Sequence, residues 1–193
     1  IVMQVLGVAD YGLYNVVGGV VTMFTFINGS MAAGTQRFIT FELGTGNMSS
    51  LKKVFSTSVI VHLLLCLIIL VIAETIGFWF VGNKMVFEPG RETAAIWVYQ
   101  FSIISCLLSI IQVPFMASLI AHEKMNIYAY MSIYDAMVKL LIAYLIQWSP
   151  FDKLIYYAGL GGLANISSFI IYSCYCRKKY EECCCSLDFD KSV

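Results

Sequence analysis

What this sequence has little of is charge. Twelve Lys and Arg residues are set against twelve Asp and Glu, so the formal net charge is zero and only 12% of the chain is charged. Nucleic-acid binding calls for a clustered basic field to meet phosphates, and that class of function is set aside. Histidine is scarce too, with two residues on separate stretches. There is no Ser/His/Asp or metal-ligand grouping and no Gly-rich phosphate loop. Catalysis has little to stand on, and neither a catalytic residue, a metal nor a cofactor is expected. The chain opens Ile1-Val2-Met3-Gln4 without an initiating Met or a basic leader, so its start reads as a cut. Residues 1–8 are apolar but fall well short of the roughly 20 residues a crossing takes, and they read as the end of a preceding helix.

What is present is apolar surface. Hydrophobic residues make up 60% of the chain and the mean hydropathy is +0.80, more than a soluble fold of this length can bury. Five runs are long enough to cross a bilayer, at about 12–35, 54–81, 94–120, 127–148 and 154–175. Hydrocarbon offers no partners to backbone N–H and C=O groups, so each run is expected to be a helix. Short connections make consecutive helices antiparallel neighbours. The expected fold is therefore an all-α integral membrane bundle of about five helices over 1–176, with a polar tail or linker at 177–193. Aromatic residues, 15% of the chain, gather near the ends of the runs, where rings meet headgroups.

Basic residues set the orientation. Alternate connections place Arg37, Lys52, Lys53, Lys124, Arg177, Lys178, Lys179 and Lys191 on one side, against Lys84, Arg91 and Lys153 on the other. The first side is expected to be cytoplasmic, and with it the tail. Of seven cysteines, Cys66, Cys106 and Cys174 fall inside apolar runs and read as small packing residues. Cys176, Cys183, Cys184 and Cys185 lie in a reducing compartment on this reading, and adjacent cysteines suit a tetrahedral metal poorly.

Asp135 and Lys139 give the sharpest functional signal. Both fall near the middle of the fourth run, where a charge costs roughly 2.5 to 3.5 kcal/mol on insertion scales. Their i, i+4 spacing puts them on one face, beside Tyr128 and Ser132, either as a self-neutralising pair or as a contact for a cation, a proton or an anionic substrate. Polar stripes recur at helical spacing elsewhere: Asn15, Gly18, Thr22, Thr25 and Gly29 with Asn28; Ser102, Ser105, Ser109 and Gln112; Ala158, Gly162, Asn165 and Ser168. The second run has only His62 and Cys66. Small and weakly polar residues serve helix contacts, with Gly29-x-x-x-Ala33 and Ala158-x-x-x-Gly162 as examples. They also line wet cavities. Pro114 is expected to kink the third run and Glu74 to reach headgroups. His122-Glu123-Lys124 reads as a solvated turn capped by Asn126, and Arg37 as an interfacial anchor or a phosphate contact.

The opening Leu6-Gly7-Val8-Ala9-Asp10-Tyr11-Gly12-Leu13-Tyr14-Asn15, then Thr35-Gln36-Arg37-Phe38 with Phe41-Glu42-Leu43-Gly44, then Ala121-His122-Glu123-Lys124-Met125-Asn126, resemble bacterial O-antigen and capsule flippases. These form the polysaccharide-exporter branch of the MATE-like superfamily. The resemblance implies one lobe of a two-lobed transporter in the bacterial inner membrane, with the five runs as the second to sixth helices of the amino-terminal lobe. Its partner would be a carboxyl-terminal lobe not contained in this chain. It further implies export of a lipid-linked oligosaccharide, driven by a coupling cation, Na⁺ or H⁺. On this reading Asp135 and Lys139 are cavity charges, Asn15, Asn28, Gln112 and Asn165 are polar lining, and Arg37 meets phosphate. Exchange of cationic drugs and a non-transporting membrane scaffold are the alternatives.

Overall fold

Apolar runs with polar groups confined to their ends leave the backbone one way to satisfy itself, and the computed structural model of the chain shows it. The structure describes residues 2–22, 25–84, 91–148 and 152–183, and among them there is no strand. The helices are α1 (Val2–Thr22), α2 (Thr25–Thr45), α3 (Met48–Ile72), α4 (Phe78–Lys84), α5 (Glu92–Ala121), α6 (Met125–Leu145) and α7 (Lys153–Lys179). A π-helical turn, Ala73–Gly77, joins α3 to α4 without interruption, and short 3₁₀ turns follow α6 and α7. Among the described residues, four stretches are long and apolar enough to cross a membrane: Met48–Phe80, Glu92–Ala121, Met125–Trp148 and Lys153–Lys179. The molecule is an all-α helical bundle of the kind that membranes accept.

The expected run at 12–35 falls on α1 and α2, with residues 23–24 outside the described residues. Gly7, at φ 83° and ψ 166°, breaks α1 in a conformation that costs glycine nothing, and α2 continues ten residues past Thr35. It ends at Gly46, φ 71°, whose N–H closes onto the Leu43 carbonyl at 3.2 Å. Asn47 then starts α3, its side chain accepting from the N–H groups of Ser49 and Ser50 at 3.1 and 3.2 Å. Arg37 therefore stands on an exposed helix face instead of in a connection.

One smaller expectation also changes. The α6 helix begins at Met125, with Lys124 in the cap position, so Asn126 lies inside the first turn and does not cap it. Pro114 lies within α5. The π turn has a visible cause: the Tyr99 hydroxyl donates to the Ala73 carbonyl at 2.7 Å, and Gly77 leaves the room that this hydroxyl occupies.

The α5 helix is the axis of the bundle, packed against α1, α2, α3, α6 and α7. Two buried clusters surround it, one for each end. Val17, Ile69, Val98, Tyr99, Ile103 and Leu154 belong to the first, and Ile39, Phe55, Phe115, Leu119, Tyr172 and Cys176 to the second. Ala158 and Gly162 do serve a close helix contact, where Phe101 of α5 sits against Gly162. Gly29 and Ala33 do not, since both are exposed. Outward faces of α3 and α6 carry Leu63, Leu64, Leu67 and Ile68, and Ile133, Met137, Leu140 and Leu141, all exposed. A water-soluble monomer has no use for contiguous apolar faces of this extent, whereas a lipid-facing wall requires them.

Candidate functional site

Asp135 is the middle residue of α6, and the helix geometry turns it toward α7. There the Ser168 hydroxyl donates to its Oδ1 at 2.5 Å, and Ser168 itself is buried. One residue back on each helix, the Tyr134 hydroxyl meets the Ser167 hydroxyl at 2.9 Å, with Ser167 donating in turn to the Ala164 carbonyl at 2.7 Å. Buried Tyr172, one turn beyond Ser168, lies within electrostatic reach of Asp135. Two adjacent hydrogen bonds thus form a polar seam between α6 and α7, with an acceptor-rich carboxylate at mid-helix. Such a group can hold a proton or a cation, or receive donors from a hydroxylated substrate.

The expected pairing of Asp135 with Lys139 is not formed. Lys139 is exposed and makes no ion pair or hydrogen bond among the described residues. An i, i+4 pair on an open helix face is worth only about 0.3 to 0.5 kcal/mol, while a charge-assisted bond from a buried hydroxyl is worth several times that. The carboxylate goes to Ser168, and the long lysine stem is left to carry its ammonium to water.

The other expected lining residues are scattered. Asn28 on α2 donates to the Ser109 hydroxyl of α5 at 3.4 Å, while its Oδ1 is buried with no partner among the described residues. Asn15 is exposed and spends its amide on the Tyr11 carbonyl at 2.8 Å. Gln112 is half-buried on α5, and Asn165 is exposed on α7. One groove of about 450 Å³ lies between α2 and α3, and another of about 600 Å³ runs along α7 beside Phe101. Neither is lined by any of the seven expected residues. Helix crossing positions, which a sequence does not carry, decide which stripes meet.

Two charged constellations were not anticipated. Arg91, just before α5, donates to Asp10 of α1 at 2.8 Å and to Asp152 at 2.7 Å. Asp152 also caps α7 through the Leu154 N–H at 3.1 Å, so one guanidinium ties three helices at one end of the bundle. At the opposite end the chain beyond α7 turns back: Glu182 and Cys183 are buried, and the His122 ring donates to Glu182 Oε1 at 2.5 Å. Ser118 supports the same oxygen at 3.4 Å, and Tyr180 stacks on His122 with centroids 4.0 Å apart. Burial pushes the Tyr180 hydroxyl up to about 12, with Tyr175 adding to it. The Cys183 thiol is raised by its hydrogen bond with Cys176 and by burial, which makes it an unreactive packing group.

Three sequence expectations are corrected by this end of the molecule. The His122 ring is hydrogen-bonded to buried Glu182 rather than left in a solvated turn, and residues 181–183 pack against the bundle rather than continuing as a polar tail. Cys174 faces outward while Cys176 is buried beside the Phe115 carbonyl. Cys184 and Cys185 lie outside the described residues. Glu74 is also engaged, accepting from Gln100 at 3.3 Å. Among the described residues no group of His, Cys, Asp and Glu is arranged to hold a metal ion. Asp10 stood in the opening motif, and its place there was the only signal for the Arg91 clamp.

Comparison with family models, curated proteins and solved structures finds no match for this chain. Fold and site together define a class: an all-α helical bundle with, among the described residues, four helices long and apolar enough to cross a membrane and a carboxylate hydrogen-bonded between two of them.

Proposed function

We propose that the chain is part of a membrane transporter, and not an enzyme, in which α6 and α7 carry a coupling-ion or substrate contact. The observation that carries this reading is the Ser168–Asp135 bond at the centre of α6. An acidic group at that depth is expensive, and it persists where a pathway uses it. The resemblance described above supplies the cargo: a lipid-linked oligosaccharide moved from the cytoplasmic to the outer leaflet of a bacterial inner membrane, driven by Na⁺ or H⁺. In that scheme the tail is cytoplasmic, bilayer lipids surround the bundle, and a second lobe is the partner against which this one rocks.

The test is export in proteoliposomes made with the parent protein, with lectin access to a lipid-linked oligosaccharide as readout. Asp135→Asn is expected to slow export at least tenfold while the protein stays inserted and folded. Unchanged export in Asp135→Asn would refute the proposal. One observation favours a second cargo. Because Lys139 does not neutralise Asp135, and Tyr134 and Tyr172 flank it, the seam also suits an organic cation, as in a drug antiporter. Competition of a quaternary ammonium dye with export separates the two readings.

A further inference from the structure

The groove between α2 and α3 opens near the turn that joins the two helices and runs into the apolar span. Lys53 stands at its mouth, framed by Phe38 and Val54. Eight residues of α3 separate Lys53 from Val61, about 12 Å along the axis, so the inner end lies well below the helix terminus. Lys53 is exposed, and among the described residues it makes no ion pair, whereas its neighbour Lys52 is held by Glu181 at 3.5 Å. Thr57 and Ser58 come one turn inside Lys53, and Thr35 lines the same groove from α2. The Thr35 and Thr57 hydroxyls form no hydrogen bond among the described residues, although those of Thr75, Ser102 and Ser132 donate back to their own helices. Deeper still the walls are Met31 and Val61, and the same face of α3 continues as exposed Leu64 and Ile68. Ser30, also at the inner end, can turn its hydroxyl onto its own helix.

An ammonium, then hydroxyl donors, then an apolar channel is an order that a phospholipid complements with its phosphate, its ester carbonyls and its acyl chain. No Asp or Glu lines the groove, and Lys53 is the one Lys or Arg that does, so a cationic ligand has nothing to meet it. A neighbouring protein helix would bury the Lys53 ammonium without a carboxylate from the groove to match it, whereas a phospholipid brings its own anion. The amine of a zwitterionic headgroup would face Lys53 with no carboxylate to receive it, which favours an anionic headgroup. We infer that the α2–α3 groove binds one anionic glycerophospholipid of the membrane, its phosphate meeting Lys53, an ester carbonyl accepting from Thr57 and an acyl chain lying along Met31 and Val61. A volume of about 450 Å³ lies within the range of small-molecule sites. This site is separate from the Asp135 seam and does not depend on the transport reading.

For the test, the full chain with ¹³C-methyl methionine is placed in phosphatidylcholine nanodiscs. Phosphatidylglycerol or phosphatidylcholine carrying a paramagnetic doxyl group midway along one acyl chain is then titrated in. Met31 reports the groove, and Met137, exposed on the outward face of α6, reports bulk lipid. Doxyl phosphatidylglycerol is expected to broaden Met31 saturably and more strongly than doxyl phosphatidylcholine, while the two act alike on Met137. Lys53→Gln is expected to lower the phosphatidylglycerol affinity at Met31 about fivefold, the worth of one basic residue near anionic lipid. Thr57→Val is expected to lower it about two- to tenfold, the loss of one neutral hydrogen bond. Lys124→Gln, at the same end of the bundle but outside the groove, is expected to change nothing. Val61→Trp, which fills the groove from an exposed wall position, is expected to abolish the saturable part. Equal broadening of Met31 by the two lipids, full affinity in Lys53→Gln or Thr57→Val, or an undiminished response in Val61→Trp would each overturn the assignment. So would a loss in Lys124→Gln as large as in Lys53→Gln, which marks a diffuse field, or a Met31 shielded from both lipids, which marks a groove covered by protein.

Discussion

Removing the Ser168 hydroxyl tests whether the seam between α6 and α7 holds an ionised carboxylate. The bond is 2.5 Å long, within the range of O–H···O⁻ contacts, and its donor is buried. Hydrogen bonds to charged groups contribute about 1.5 to 3 kcal/mol, whereas neutral interhelical bonds in membrane proteins average about 0.6 kcal/mol. Ser168→Ala alone should therefore destabilise the bundle by about 1.5 to 3 kcal/mol. In an Asp135→Asn background, where the acceptor is neutral, the same change should cost about 0.6 kcal/mol. The difference, about 1 to 2 kcal/mol, is the coupling read from a double-mutant cycle of unfolding in mixed detergent micelles followed by far-ultraviolet circular dichroism. Tyr134→Phe, which breaks the neighbouring neutral bond to Ser167, supplies the internal scale. Equal costs of Ser168→Ala in both backgrounds would refute the reasoning, because the charge would then have no part in the contact.

Three further perturbations address the ends of the bundle. Arg91→Gln leaves Asp10 and Asp152 facing each other without their cation, and a loss of about 1 to 2 kcal/mol in the same unfolding assay is expected, since the clamp is a half-exposed network rather than a buried pair. His122→Ala strands Glu182, which is 2% exposed, and should cost about 3 to 5 kcal/mol or undock residues 181–183. Faster tryptic cleavage at Arg177 to Lys179 reports that release. Tyr180→Phe removes a buried hydroxyl that has no partner and should be neutral or stabilising by up to about 1 kcal/mol. The folded state keeps the Tyr180 proton up to about pH 12, while an unfolded tyrosine gives it up near its ordinary value of 10. The Cys183 thiol is likewise kept protonated by docking, while the unfolded chain ionises it near its ordinary value of 9. Docking stability should hold below pH 9, begin to fall above it through Cys183, and fall more steeply from pH 10 to 12, and only that steeper part should be absent in the phenylalanine variant.

How much of this was written in the sequence depends on the range of the interaction. Helices α5, α6 and α7 were legible within a few residues, because each is a long apolar run whose ends carry Arg91, Lys124, Asp152 or Arg177. The α2 helix continues past Thr35 and ends before Gly46. The polar residues between them read as a connection, although Ile39 and Leu43 keep the helical face going. Asp135 was visible as a mid-span charge, but its partner was not. Periodicity offers the near neighbour Lys139, and only helix crossing offers Ser168. Glu182 was invisible for a related reason. In a tail where Lys179 and Glu181 come just before it, composition describes a solvated segment, and nothing local says that one carboxylate folds back onto His122.

The distribution of satisfied and unsatisfied groups separates the ends of this bundle from its middle. At one end Arg91 is matched by two carboxylates, and at the other Glu182 is matched by His122 and Ser118. Those arrangements leave little hydrogen-bonding capacity unspent. Between them, and among the described residues, Asn28 Oδ1 and His62 Nε2 are buried polar atoms with no partner, and Asp135 receives a single hydrogen bond, from Ser168. A bundle selected only for stability has every reason to fill those positions with Leu or Val, since hydrocarbon exacts more for an orphan acceptor than water does. Unspent capacity at membrane depth, held between two well-matched ends, is what a pathway for a donor-bearing passenger requires. On the transporter proposal, Asn28→Leu should therefore stabilise the bundle in detergent and at the same time lower the proposed export, whereas a purely structural Asn28 would show no such loss.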